Sequence, residues 1–219
     1  MIAQFALLSA IIILMAFTPL GYVRLGVVEA TLLMIPVALG AIRLGPIGGA
    51  LLGAVFGATS FAQCFGISPF GTMLLSISPV ATFVVCMVPR ILMGVLVALV
   101  YRALSRHRAQ QVLYDEESTW IEDEVQHRRP VPHQPNTLAL GVAFASSAFI
   151  NTVLFVVFFL LLFGRTAFVA ELAAGRSLLA LIATLVGING IAELAATFLI
   201  GTAIGSAVQR AMGPAQFAE

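Results

Sequence analysis

Two ionisable residues, Arg90 and Glu193, stand inside long stretches that are otherwise almost free of charge. A guanidinium so placed matches a carboxylate through two parallel hydrogen bonds. Arg90 is therefore a candidate counter-charge for an anionic ligand, although an ion pair with Glu193 or a network with loop carbonyls would occupy it equally well. Asn151 and Asn189 sit at comparable depths in later apolar runs. Each side chain both donates and accepts, which suits an amide on a ligand or a hydrogen bond between helices. Thr59, Ser60 and Gln63 close another apolar run, as ligand contacts or as groups that bond back to helix carbonyls. Tyr22 and Phe70 are candidates for an aromatic lid or for anchors at a membrane interface.

Other chemistry is excluded by what the chain lacks. All eleven basic residues are Arg, so there is no lysine for a P-loop or a Schiff base. No histidine falls in an apolar run and no Gly-x-Ser-x-Gly or His-Glu-x-x-His occurs, which argues against an enzyme. Cys64 and Cys86 lie in apolar stretches and fit neither a disulfide framework nor a four-ligand zinc site. They read as buried free thiols. No metal or other cofactor is expected, and a formal net charge of +1 offers no attraction to nucleic acid.

The elements that must position these residues are set by hydropathy. The 219 residues are 60% hydrophobic and 10% charged, with a mean hydropathy of +1.05. That composition belongs to an integral membrane protein. Eleven charged residues crowd between Arg102 and Arg129, whereas Met1 to Val23, Leu44 to Pro89 and Pro130 to Gly164 carry none. Each helical crossing needs about 20 apolar residues, and Pro, Gly and isolated charges mark the divisions. The expected spans are 5–20, 29–44, 46–62, 79–104, 138–163 and 177–209. The expected fold is an all-α bundle of six transmembrane helices, with a loop-capped site at its outer face. Four helices fall in 1–105 and two in 138–219, with a polar cytoplasmic linker over 106–137. A short helix over 110–126 within the linker would be anchored by Trp120, and its acidic clusters and histidines are too irregularly spaced for a metal site.

Met1 to Gln4 has no side-chain positive charge, so the first span is read as retained and not as a signal peptide. An even number of spans puts both termini on one side. A cytoplasmic amino terminus places Arg43, Arg102, Arg106, Arg108, Arg128, Arg129 and Arg210 inside and Arg24, Arg165 and Arg176 outside, as the positive-inside rule prefers. Arg90 then lies about 16 Å and Glu193 about 24 Å along their helices from the outer surface. Gly45, Gly49, Gly53 and Gly57 recur at every fourth position, forming a face on which another backbone can approach closely. Phe61 to Ser78 carries Ser-Pro and Phe-Gly turn chemistry and is expected to be an ordered loop at the membrane surface. Glu29 opens the second span, where it would favour a helix amino terminus.

Several segments together look familiar: Phe17-Thr-Pro-Leu-Gly-Tyr22, Ile35-Pro-Val-Ala-Leu-Gly-Ala-Ile-Arg-Leu-Gly-Pro46, Gly53-Ala-Val-Phe-Gly-Ala-Thr-Ser-Phe61 and Val88-Pro-Arg-Ile-Leu-Met-Gly94. They resemble the substrate-binding S components of energy-coupling factor (ECF) vitamin transporters, most closely the pantothenate-type branch. The resemblance implies a six-helix bundle that captures a vitamin outside and topples in the membrane on a transmembrane scaffold subunit driven by two ATPase subunits. It also implies that Ala6 and Ala10, an Ala-x-x-x-Ala pair on the first helix, pack on that scaffold. Pantothenate carries a carboxylate, an amide and two hydroxyls, which one cation and several neutral hydrogen-bonding groups would satisfy. Riboflavin, thiamine, biotin or folate as the vitamin, and a self-sufficient small secondary transporter, are the alternatives. The polar linker departs from the family pattern, which joins the fourth and fifth helices briefly.

Overall fold

The computed structural model describes the backbone of residues 2–19, 21–25, 28–119, 137–173 and 178–212, with side chains over 2–19, 21, 31–105, 137–171 and 190–211. In chain order the elements are α1 (Ile2–Ala16), β1 (Tyr22–Leu25), β2 (Val28–Thr31), α2 (Met34–Gln63), α3 (Pro69–Ile77), α4 (Pro79–Thr119), α5 (Thr137–Phe163), α6 (Ala167–Ala173) and α7 (Leu178–Met212). Four helical segments are long and apolar enough to cross a membrane: Met34–Gln63, Pro79–Ser105, Thr137–Phe163 and Gly190–Ala211. α1 is apolar but shorter.

The first of these four is not one straight rod. Gly45 has φ 76° and ψ −170° inside α2, and Pro46 follows it. Glycine takes that backbone conformation without steric cost, and proline supplies no amide to continue the preceding turn. The chain doubles back there. A Cβ built on Gly49 would lie 2.9 Å from the Cβ of Ala41, and one on Gly40 would strike Leu52, whereas eight residues of straight helix separate their ends by about 12 Å. α2 is thus two antiparallel arms, 34–44 and 46–63.

The glycine face of the second arm packs against α4. A Cβ on Gly49 would overlap the carbonyl of Gly94, one on Gly53 the carbonyl of Arg90, and one on Gly57 would lie 2.9 Å from the carbonyl of Cys86. The pairs run antiparallel in steps of four residues, so each glycine removes the side chain that would hold the two backbones apart. On the other side of the bundle, Phe144 of α5 fills the space over Gly201 and Gly205 of α7, while Gly141 faces Phe198. The fully buried Phe56, Phe144, Leu52, Met93 and Ile12 form the main core, and a second cluster of Leu74, Val85, Phe159, Phe163 and Val169 lies at the end that carries α3.

Three expectations need correction. Phe61 to Ser78 is not simply a loop, because its two Ser-Pro pairs are helix starts. Ser68 accepts from the Gly71 amide ahead of Pro69, and Ser78 accepts from the Ala81 amide ahead of Pro79, the cap-then-proline order that begins a helix. Glu29 does not open a helix, since it lies in β2, opposite Arg24 in an antiparallel hairpin closed by Leu32 N–H donating to Gly21 O. α4 does not stop at Leu104 but stays helical to Thr119. Trp120 and the rest of the linker to Asn136 lie outside the described residues.

Candidate functional site

Arg90 occupies a defect in its own helix. Pro89 has no N–H, so the Val85 carbonyl loses its ordinary partner four residues on. The Arg90 Nη1 donates to that carbonyl at 2.7 Å. Gly53 presses on the backbone of Arg90 from one side, which sets the depth of the residue against α2. The guanidinium carbon lies 5.5 Å from the ring centre of Phe56 on α2 and 5.3 Å from that of Phe155 on α5. Aromatic faces stabilise a cation by about 2 kcal/mol where water is excluded. Three helices therefore hold one positive charge in apolar surroundings.

The rings extend from this charge toward α3. Phe155 stacks on Phe159 at 6.0 Å between centroids, and Phe159 on Phe163 at 5.9 Å. Phe70 of α3 meets Phe155, Phe159 and Phe168 at 6.5, 5.7 and 6.1 Å. Phe70 thus belongs to a packed aromatic cluster that ties α3 and α6 to α5. Tyr22 lies in β1 opposite Thr31, and its side chain is outside the described set, as is that of Asn189.

Asn151 is one helical turn before Phe155 on α5 and only 8% exposed, and its Oδ1 has no hydrogen-bond partner among the described residues. A buried acceptor left unmet costs about 1–3 kcal/mol. Glu193, also 8% exposed, accepts at Oε1 from the backbone N–H of Thr31 at 2.8 Å. The hydroxyl of Thr197 donates to the Glu193 carbonyl at 2.7 Å.

The hydroxyl and amide candidates at the end of α2 have structural partners. Thr59 bonds back to the Phe56 carbonyl at 2.8 Å. Gln63 Nε2 donates to the Ala16 carbonyl, one of the carbonyls left open where α1 ends. Ser60 is half-buried, and its carbonyl lies 3.4 Å from the Cys64 thiol. Cys64 and Cys86 are buried free thiols whose sulfurs are 3.9 Å apart. Among the described residues no group of three His, Cys, Asp or Glu side chains is placed to hold a metal. Ala6 and Ala10 are both exposed on α1, as are Leu7 and Leu14.

The structure thus brings Arg90, Asn151 and Phe70 into one aromatic-lined region and leaves Thr59 and Gln63 as helix fastenings. Sequence reasoning missed Phe56, Phe155 and Thr31. Asn151 and Phe155 share a helix face by their four-residue spacing, but nothing in the sequence distinguishes Phe56 and Phe155 among 16 phenylalanines.

Apolar helices arranged around a half-buried cation and a buried amide oxygen that no described residue meets describe a membrane-embedded binding protein. A sequence model of the family described as ECF transporter, substrate-specific component, matches residues 1–205. The chain belongs to that family. It is the substrate-specific subunit of an ECF transporter, a multi-pass membrane protein that binds a small molecule and works beside a membrane scaffold and ATPase subunits. No match is found among curated proteins.

Proposed function

We propose that this subunit captures a vitamin bearing a carboxylate, with pantothenate as the substrate, and that Arg90 is the counter-charge. The observation that carries this reading is the Arg90 guanidinium seated between Phe56 and Phe155. A cation in apolar surroundings is stabilised most by an anion that meets its flat edge. Asn151 supplies an acceptor to the amide or a hydroxyl of the same ligand, at a depth similar to that of Arg90. Asn189, one turn before Glu193 on α7, and Tyr22, on the hairpin, extend the contact set, and the α3 segment with Phe70 caps it on the outer side. Thr59, Ser60 and Gln63 shape the wall.

In this reading α1, the β1–β2 hairpin together with the first arm of α2, the second arm of α2, α4, α5 and α7 make six crossings with both termini cytoplasmic. The exposed Ala6 and Ala10 on α1 meet the scaffold, on which the loaded subunit topples while two ATPase subunits supply the energy. The test is binding and transport with purified protein. The chain should bind pantothenate alone, yet move it into proteoliposomes only with the scaffold and ATPases present. Uptake by this chain alone would make it a secondary transporter. Copurification of riboflavin, thiamine, biotin or folate, identified by mass spectrometry, would replace the substrate.

A further inference from the structure

Phe56 and Phe155 both face the Arg90 guanidinium, but they differ in what else they touch. Phe56 is fully buried in the main core, and none of the ring contacts among the described residues joins it to α3. Phe155 lies 5.3 Å from the guanidinium carbon and at the same time 6.5 Å from the ring of Phe70 on α3 and 6.0 Å from that of Phe159. Phe70 is itself 5.7 Å from Phe159, so the three rings close a triangle, and Phe155 is the corner that carries the cation. The same cluster includes the buried Leu74 of α3 and Val85 of α4. Val85 is also the residue whose carbonyl accepts from Arg90 Nη1. The residues that seat α3 are thus among those that hold the cation. A packed phenylalanine has few rotamers open to it, so the Phe155 ring cannot follow the guanidinium without changing its contact with Phe70.

We infer that Phe155 is a positioning residue that couples ligand binding at Arg90 to the seating of α3: its ring orients the guanidinium and anchors Phe70, so that loosening either contact weakens the other. The inference rests on the reading of Arg90 as the ligand's counter-charge. Phe56 supplies the control, because it offers the cation a ring without reaching α3 through another ring. Residues that share a partner show non-additive effects when both are changed, whereas independent residues show additive ones.

The experiment is a double-mutant cycle on the full chain in nanodiscs, read as the Kd of pantothenate. Amide hydrogen exchange over 69–77 is followed in parallel without ligand. Phe56→Leu and Phe155→Leu each take one aromatic face from the cation and should raise Kd roughly tenfold. Phe70→Leu should raise it roughly fivefold, the size of one aromatic pair, through Phe155. Phe70→Leu should then add nothing once Phe155→Leu is present, and act at full strength beside Phe56→Leu. Exchange over α3 should quicken in Phe155→Leu and keep the wild-type rate in Phe56→Leu. Independent effects of Phe70→Leu and Phe155→Leu on Kd, or equal α3 exchange in Phe56→Leu and Phe155→Leu, overturn the coupling. Where Phe155→Leu does not give folded protein, Phe155→Met takes its place, since a flexible thioether fills an irregular gap. If the wild-type chain binds no pantothenate, the counter-charge reading falls and takes the coupling to ligand with it, while α3 exchange, measured without ligand, still decides whether Phe155 seats α3.

Discussion

At the scale of single residues, Arg90 was legible because one cation in a long uncharged run has no ordinary reason to be there. Its partners were not. Val85 offers its carbonyl only because Pro89 withholds an amide, and Phe56 and Phe155 reach the guanidinium from helices distant in sequence. Arg90→Lys keeps the charge and loses the planar fork. It should weaken carboxylate binding by about 1.5–3 kcal/mol, the worth of charge-assisted hydrogen bonds, read as a tenfold or larger rise in Kd by calorimetry. Arg90→Ala should abolish that binding; unchanged affinity with lower thermal stability would make Arg90 purely structural. Asn151→Leu separates binding from stability, because a buried acceptor that no described residue meets destabilises the protein. The variant should raise the ligand-free Tm by a few degrees while weakening binding, and a fall in Tm would show that the amide has a structural partner.

At the scale of elements, the glycine repeat was readable as a close-packing face and the structure supplies its partner, the Gly94, Arg90 and Cys86 side of α4. The repeat holds the arm that carries Phe56 against the helix that carries Arg90, so packing and the candidate site are one feature. Gly53→Ala forces a methyl into the Arg90 carbonyl. Overpacking of this kind typically costs about 1–3 kcal/mol. A lower Tm is expected, with weaker ligand binding because the Arg90 backbone must move; an unchanged Tm would show that the helices are not in contact at this level. The hairpin and α3 were missed for local reasons. Four-residue strands are too short for a periodic signal, and Ser-Pro marks a turn or a helix start with the same two residues.

At the scale of the whole molecule, the exposed pair on α1 and the arrangement of crossings make separate predictions. Ala6→Leu with Ala10→Leu should leave vitamin affinity unchanged and reduce uptake with the scaffold and ATPases by tenfold or more, since close helix approach in lipid depends on small side chains. Equal uptake would place the docking face elsewhere. In a chain whose two native cysteines are replaced by Ser, Arg165→Cys should react with an impermeant maleimide on intact cells and Arg210→Cys only after permeabilisation. The reverse pattern would invert the orientation. By itself the sequence determined that this is a membrane protein, roughly where its apolar segments lie, where its charges are sorted and which intramembrane cation stands out. Those properties are local sums over about 20 residues. Only the tertiary structure decided that α2 folds back at Gly45, that Arg90 rests between two phenylalanines and that Glu193 bonds a hairpin 162 residues away in the chain. Such contacts depend on the rotation and register of helices against one another, and those are fixed by which small residues let distant backbones meet.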